Sequence, residues 1–215
     1  MFQIAVADHI HELATHLVAS LSPLGFKYLK SRRAFHRTTK YGSDVIDLLS
    51  SRFHLYFGFG VRHEAVQNLL CEWGSRSDGT MSTVCQNGLN VHPNRPISYG
   101  GPTFWEFSPN FDLTKVAPEA SRFVDEVVLP WLEKFGDPIK LRQASANDDG
   151  WIICHQPWEV VVALDILTGK DQNNYFLRLT GPEKTVSANA DALRAAIGAD
   201  AKAEKAYALP ESSGN

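Results

Sequence analysis

The sequence has little cysteine and no long apolar run. Only three of its 215 residues are cysteines, they lie far apart, and they form no CxxC pair. This excludes a disulfide framework and favours a reduced, cytoplasmic compartment. No apolar run approaches the roughly 18 residues that a membrane span needs, and the first residues, MFQIAVADHIHEL, lack the basic start of a signal peptide. We therefore expect a cytoplasmic protein that makes no membrane contact.

A strong excess of charge of one sign is also missing. The chain carries 21 Lys and Arg against 24 Asp and Glu, a formal charge of −3, which argues against nucleic acid as the ligand. The charge is unevenly placed, because residues 1–70 hold eight basic and five acidic side chains. With 44% hydrophobic and 21% charged residues, the composition is that of a globular protein and excludes a disordered or collagen-like chain.

Periodicity predicts an α+β fold with an antiparallel sheet. Apolar residues recur at helical spacing over residues 8–22, and Pro23 and Gly25 end that helix. Strands are then predicted at residues 35–40, 45–50, 53–61, 80–86 and 103–107, with short links that favour a meander. Helices are predicted at residues 63–73, 118–135, 157–168, 188–197 and 199–209. Pro118 suits a first helical turn, and Pro130 predicts a kink or break.

These elements are consistent with one domain over residues 1–209. The sheet core would span about residues 33–107 and the helical part about residues 118–209, followed by a disordered tail at 210–215. We expect the helices to pack mainly on one face of the sheet and the C-terminal third to be helical.

No motif assigns a catalytic residue, a metal ligand or a cofactor. His11 and His16 are spaced one residue too far apart for an HExxH zinc site, and the set His9, Glu12 and His16 spans about 10 Å of helix axis. Cys154 and His155 are adjacent in sequence, which usually points two side chains apart. Gly58-Phe59-Gly60 lies inside a strand and lacks the features of a dinucleotide loop.

The most distinctive segment is basic. Residues 26–41 contain six cations and no acidic residue, with aromatic side chains between them: Lys27, Lys30, Arg32, Arg33, Arg37 and Lys40. Three interpretations remain open: a solvated hairpin edge protected against strand pairing, contact with an acidic protein, and contact with phosphate or nucleic acid.

Aromatic residues supply further candidates for a binding surface. Tyr56 lies beside two glycines that clear one face of its strand, whereas Trp105 and Trp151 adjoin loops. Aromatic side chains at a rim are common in protein interfaces. The candidate binding residues are therefore Arg32, Arg33, Arg37, Tyr56, Trp105 and Trp151.

The order of features in residues 8–62 resembles a group of uncharacterised bacterial domains. The shared pattern is an amphipathic helix, the turn Leu24-Gly25-Phe26-Lys27, the strand segment Phe35-His36-Arg37 and a following strand pair. Related small α+β domains occur among the immunity proteins of bacterial toxin systems. The resemblance implies a bacterial, non-enzymatic role and carries no catalytic residue.

We expect a non-enzymatic protein-binding module, with an immunity-type protein that blocks a toxin as its specific form. One alternative is a small metal-dependent hydrolase that uses histidines and carboxylates brought together by the fold. Its candidate histidines are His36, His54, His63 and His92, and His36 and His54 could meet across strands if the register allows. The other is a nucleic-acid-binding module that uses residues 26–41. Neither the partner nor the oligomeric state follows from the sequence.

Overall fold

The computed structural model describes residues 2–51, 53–72, 82–88, 99–107, 111–146 and 157–167. The predicted helices beyond residue 167, the tail at 210–215, His92, Trp151, Cys154 and His155 lie outside the described residues. None of the described helices combines the length and apolar character that a membrane crossing requires.

Within the described ranges, six antiparallel strands form one sheet, which confirms the predicted α+β class. The strands are β1 (Lys27–Leu29), β2 (Ala34–Thr38), β3 (Gly42–Ser50), β4 (His54–His63), β5 (Val84–Asn87) and β6 (Phe104–Glu106). Their order is β1-β2-β3-β4-β5, and β6 also pairs with β4. The short β1 was not predicted, because three residues give too little alternation to recognise.

The helices are α1 (Phe2–Leu21), α2 (Glu64–Glu72), α3 (Leu113–Phe123), α4 (Leu129–Gly136), α5 (Pro138–Ala146) and α6 (Pro157–Leu167). The buried side of α1 carries Ile10, Leu13 and Leu17, as its spacing predicts. Helix α5 was not predicted, because its sequence has almost no apolar stripe.

The long helical segment after β6 differs from its prediction in two ways. It begins at Leu113 rather than near Pro118, because the Asp112 side chain accepts a hydrogen bond from the Thr114 N–H at 3.0 Å and caps the first turn. Pro130 does not end it: a π-helical turn at Val124–Val128 leads directly into α4. The π turn changes the hydrogen-bonding pattern just before the proline, where an α-helix would lose a bond to the carbonyl of Glu126.

Alternation along β4 gives the sheet two different faces. Phe57 and Phe59 point toward the helices, where Phe57 stacks on Phe123 at 5.9 Å and Phe59 meets Trp131 edge-on at 5.1 Å between ring centroids. Residues paired across antiparallel strands share a face. The opposite face, called the outer face below, therefore carries Leu29, His36, Thr38, Ser43, Asp47, Leu49, Tyr56, Arg62 and Phe104.

Candidate functional site

The basic hairpin comprises β1, the 3₁₀ turn Lys30–Arg32, Arg33 and β2. The backbone of Arg33 is left-handed, with φ 53° and ψ 42°. Its N–H donates to the Lys30 carbonyl at 3.2 Å, and its carbonyl accepts from the Leu48 N–H at 2.8 Å, so the turn is fixed to β3. Among the described residues, Arg33 alone combines a positive φ with a side chain larger than glycine's.

Four cations of this hairpin are exposed and form no ion pair within the described part of the chain. Lys27, Lys30, Arg32 and Arg33 are all exposed, and none of them forms an ion pair with another residue of the described chain. The Arg32 charge lowers the pKa of Asp47, and the Arg33 charge lowers that of Tyr28, although burial outweighs both effects. Arg32 thus acts on a group of the outer face and Arg33 on a group of the opposite face. Together they give this edge of the sheet a positive charge.

Arg37 has a different environment from its neighbours in sequence. Its Nε and Nη2 donate to Asp44 Oδ2 at 3.0 and 2.5 Å, and its guanidinium lies 4.5 Å from the centre of the Phe26 ring. Asp44 is 1% exposed, and its burial raises its pKa against the effect of Arg37. Arg37 therefore neutralises a buried carboxylate between β2 and β3.

Trp105 lies in the core, away from the other candidate binding residues. It is 6% exposed and meets Phe57 edge-on at 5.9 Å. Its Nε1–H donates to Glu119 Oε2 at 2.8 Å, which joins β6 to α3. The short strand β6 turns this side chain inward, a direction that its position beside a loop does not reveal.

Tyr56 lies on the outer face, within a set of apolar neighbours. It is paired with Leu49 on one side and with Phe104 on the other. Leu49 is 37% exposed and Phe104 is 41% exposed. A Cβ added at Gly58 would lie 2.7 Å from Leu49 Cδ1, so the missing side chain makes room for the leucine. We call Leu49, Tyr56 and Phe104 the outer patch. The sequence did not identify Leu49 and Phe104 as site residues, because only the strand register shows that they flank Tyr56.

Asp47 lies on the outer face one pleat from Leu49, between the hairpin and the patch. Burial raises its pKa to about 6, and the Arg32 charge counteracts that rise. A half-buried carboxyl next to exposed cations is titrated near neutral pH, so the charge of this part of the face changes with pH.

Among the residues that the structure describes, the histidines do not form the cluster that a metal enzyme needs. His36 pairs with Val45, which pairs with Gly60, six residues and about 20 Å along β4 from His54. The register of the strands therefore does not allow His36 and His54 to meet. His63 is buried and its Nε2 lies 2.9 Å from the Phe135 carbonyl; its burial lowers its pKa.

The helical histidine set has structural contacts instead. His9 packs on Phe111 with ring centroids 5.0 Å apart, and its Nδ1 lies 3.9 Å from Glu12 Oε2. Within the described part of the chain, no group of three or more His, Cys, Asp or Glu side chains is placed to hold a metal ion.

An open groove of about 540 Å³ lies where the turn between β2 and β3 meets the end of β4. Its wall includes polar side chains from the three strands, from the turn after β2 and from the start of α2: His36, Thr38, Thr39, Lys40, Ser43, Arg62 and Glu64. Arg62 donates to both carboxylate oxygens of Glu64, at 2.8 and 3.1 Å. This hydrogen bonding holds the pKa of Glu64 below its usual range.

Comparison of the chain with protein-family models, with curated proteins and with solved structures found no match. The residues of the outer face and its basic edge are therefore the basis for a functional conclusion.

Proposed function

We propose that this chain is a non-enzymatic protein-binding module whose outer face and basic hairpin dock an acidic surface of a partner protein. The observation that carries the proposal is the left-handed backbone of Arg33. Such a conformation costs a residue with a Cβ about 1–2 kcal/mol, whereas glycine adopts it freely. Arg33 therefore lowers the stability of the fold, and its side chain is exposed and forms no ion pair among the described residues. A partner that uses its charge explains why an arginine occupies this position.

The outer patch supplies the apolar part of the same surface. Tyr56, Leu49 and Phe104 lie side by side across three strands, and Arg32 is close enough to act on Asp47 between them and the hairpin. An aromatic centre with charged residues at its rim is typical of protein interfaces, where tyrosine and arginine carry much of the binding energy. Charge complementarity favours an acidic partner.

An immunity-type role, in which binding blocks a toxin, is the narrower form of this proposal. Its support is the resemblance of residues 8–62 to bacterial domains of that kind. Blocking needs only a complementary surface, so the role is compatible with the absence of a metal-binding cluster among the described residues.

Charge reversal at the hairpin tests the proposal. The variant Arg32→Glu/Arg33→Glu and the matched variant Lys115→Glu/Lys140→Glu change the net charge equally, but the second alters exposed lysines of α3 and α5. Each would be used to capture proteins from a lysate of the source organism. We expect one acidic protein to be retained by the wild type and by the lysine variant and lost from the arginine variant. Equal retention by both variants, or retention of nucleic acid instead, would overturn the proposal.

Arg33→Gly separates binding from folding. Glycine relieves the left-handed strain, so we expect the free energy of unfolding to rise by about 0.5–1 kcal/mol. Binding of the captured partner should nevertheless weaken, because the guanidinium is gone. Chemical denaturation and a binding titration on the same sample measure both effects. A glycine variant that binds as tightly as the wild type would show that the strained arginine serves no partner.

A further inference from the structure

The groove between the β2–β3 turn and the end of β4 carries a second inference, which is independent of Arg32, Arg33 and the outer patch. We propose that it binds a phosphate group. The source is either a small ligand, namely inorganic phosphate or a small phosphate ester, or a phosphorylated side chain of another protein. The shared chemistry is a tetrahedral oxyanion that accepts hydrogen bonds from several directions.

The first support is the alignment of hydroxyl groups. Thr38 pairs with Ser43, and Ser43 pairs with Arg62, so the three side chains follow one another across the outer face at the end of the sheet. Thr39 lines the same groove from the turn. Within the described structure, the hydroxyls of Thr38, Thr39 and Ser43 make no hydrogen bond to protein, which leaves three donors available to a ligand.

The second support is the distribution of charge. Among the described residues that line the groove, Glu64 alone carries a carboxylate, and Arg62 donates to both of its oxygens. Lys40 is exposed and forms no ion pair among the described residues; its ammonium lies 5.1 Å from the centre of the Tyr41 ring. Pairing of Glu64 with Arg62 therefore leaves Lys40 as the net positive charge among the described residues of the groove. An ammonium in a groove that hydroxyl groups also line suits a phosphate.

The third support is a backbone that fixes the groove before any ligand arrives. The Thr39 N–H donates to the Gly42 carbonyl at 2.9 Å, and the Glu64 N–H donates to the Tyr41 carbonyl at 2.9 Å. Gly42 has φ 155°, and a Cβ there would lie 2.0 Å from the Arg62 carbonyl oxygen. The turn can approach β4 this closely only with glycine, so the backbone that carries the donors is fixed before binding and only the side chains remain to be ordered.

The test is a titration of the isotopically labelled protein with inorganic phosphate, followed by backbone amide shifts in NMR spectra at constant ionic strength. We expect saturable shifts centred on residues 38–43 and 62–64. Lys40→Ala and the double variant Thr38→Val/Ser43→Ala should each weaken binding about tenfold or more, because each loses donors to a charged ligand. Lys115→Ala removes an exposed lysine outside the groove and should bind phosphate like the wild type.

A parallel titration with a short phosphoserine peptide identifies the source of the phosphate. Binding of the peptide at least tenfold tighter than that of inorganic phosphate would indicate a phosphorylated partner, and equal affinity would indicate a small ligand; both outcomes support the site. Shifts that do not saturate, or an equal loss of binding in Lys115→Ala and Lys40→Ala, would overturn it. Arg32→Glu/Arg33→Glu should keep the groove's shifts, so failure of this inference is distinguishable from failure of the proposed function.

Discussion

Arg33 in the hairpin turn and Asp47 on the outer face each have a property that lowers the stability of the folded protein near neutral pH. Arg33 adopts a conformation that favours glycine, and Asp47 is a half-buried carboxyl whose pKa burial raises to about 6. Neither property can be predicted from the sequence. The turn at Lys30–Arg33 contains no glycine or asparagine to indicate a left-handed residue, and Asp47 looks like any polar residue of an alternating strand.

Asp47→Asn is expected to stabilise the protein near neutral pH. A folded-state pKa of about 6, above the ordinary 3.8, means that the native state holds its proton more tightly than the unfolded chain does. Stability from this group is complete below pH 3.8 and is lost as the pH rises through 6. We expect asparagine to raise the free energy of unfolding by about 1–2 kcal/mol at pH 7.5.

The measurement is urea denaturation of the wild type and Asp47→Asn from pH 4 to pH 8. The difference between the two proteins should grow with pH and level off above pH 7. Asp125→Asn, which changes an exposed carboxylate of the π turn, serves as the control and should show no such growth. A constant difference between wild type and Asp47→Asn across the range would contradict the raised pKa.

Pairs of elements determine which basic residues are available to a partner. The sequence places Arg32, Arg33 and Arg37 in one cluster of similar cations. The register of β2 on β3 separates them, because Arg37 pairs with Asp44 and turns toward the core side. The helix α1 and the strand β4 could be predicted from the spacing of their apolar residues. The burial of Arg37 and Trp105 could not, because it depends on their partners Asp44 and Glu119, which lie on other elements.

Arg37→Met is expected to destabilise the protein strongly. It leaves the carboxylate of Asp44, which is 1% exposed, without its charged partner, and loss of one member of a buried pair costs about 3–5 kcal/mol. The double variant Arg37→Met/Asp44→Leu removes both charges and should recover most of that loss. Thermal and urea denaturation of the three proteins give the comparison. If the double variant were as unstable as Arg37→Met, the buried charge would not be the cause.

At the scale of the whole molecule, the sheet separates a face that holds the fold from a face that we assign to binding. Phe57 packs on Phe123 of α3 and Phe59 packs on Trp131 of α4, all within the core. Leu49 and Phe104, on strands of the same sheet, remain 37% and 41% exposed. Along β4, the side chains thus differ in burial by the parity of their positions, and the sequence alternation of this strand predicts that difference. On β2 and β3 the outer-face residues Ala34 and Val45 are buried as well, at 1% and 5% exposed. The register that joins Leu49, Tyr56 and Phe104 could not be predicted, because it depends on pairing between distant segments.

This separation predicts opposite outcomes for two sets of substitutions. Leu49→Ser/Phe104→Ser alters the outer patch and should lower the free energy of unfolding by only about 1–2 kcal/mol, because both side chains are already partly in water. Phe57→Leu, a milder change at a residue 1% exposed, should lower the free energy of unfolding at least as much through imperfect packing.

Binding of the captured acidic partner should respond in the reverse order. It should be lost or weakened at least tenfold by the patch variant, and it should be unchanged in Phe57→Leu at a temperature where that variant remains folded. A partner that binds the patch variant at wild-type affinity would assign the apolar outer face to the fold alone, and the basic hairpin would then have to account for the whole interface.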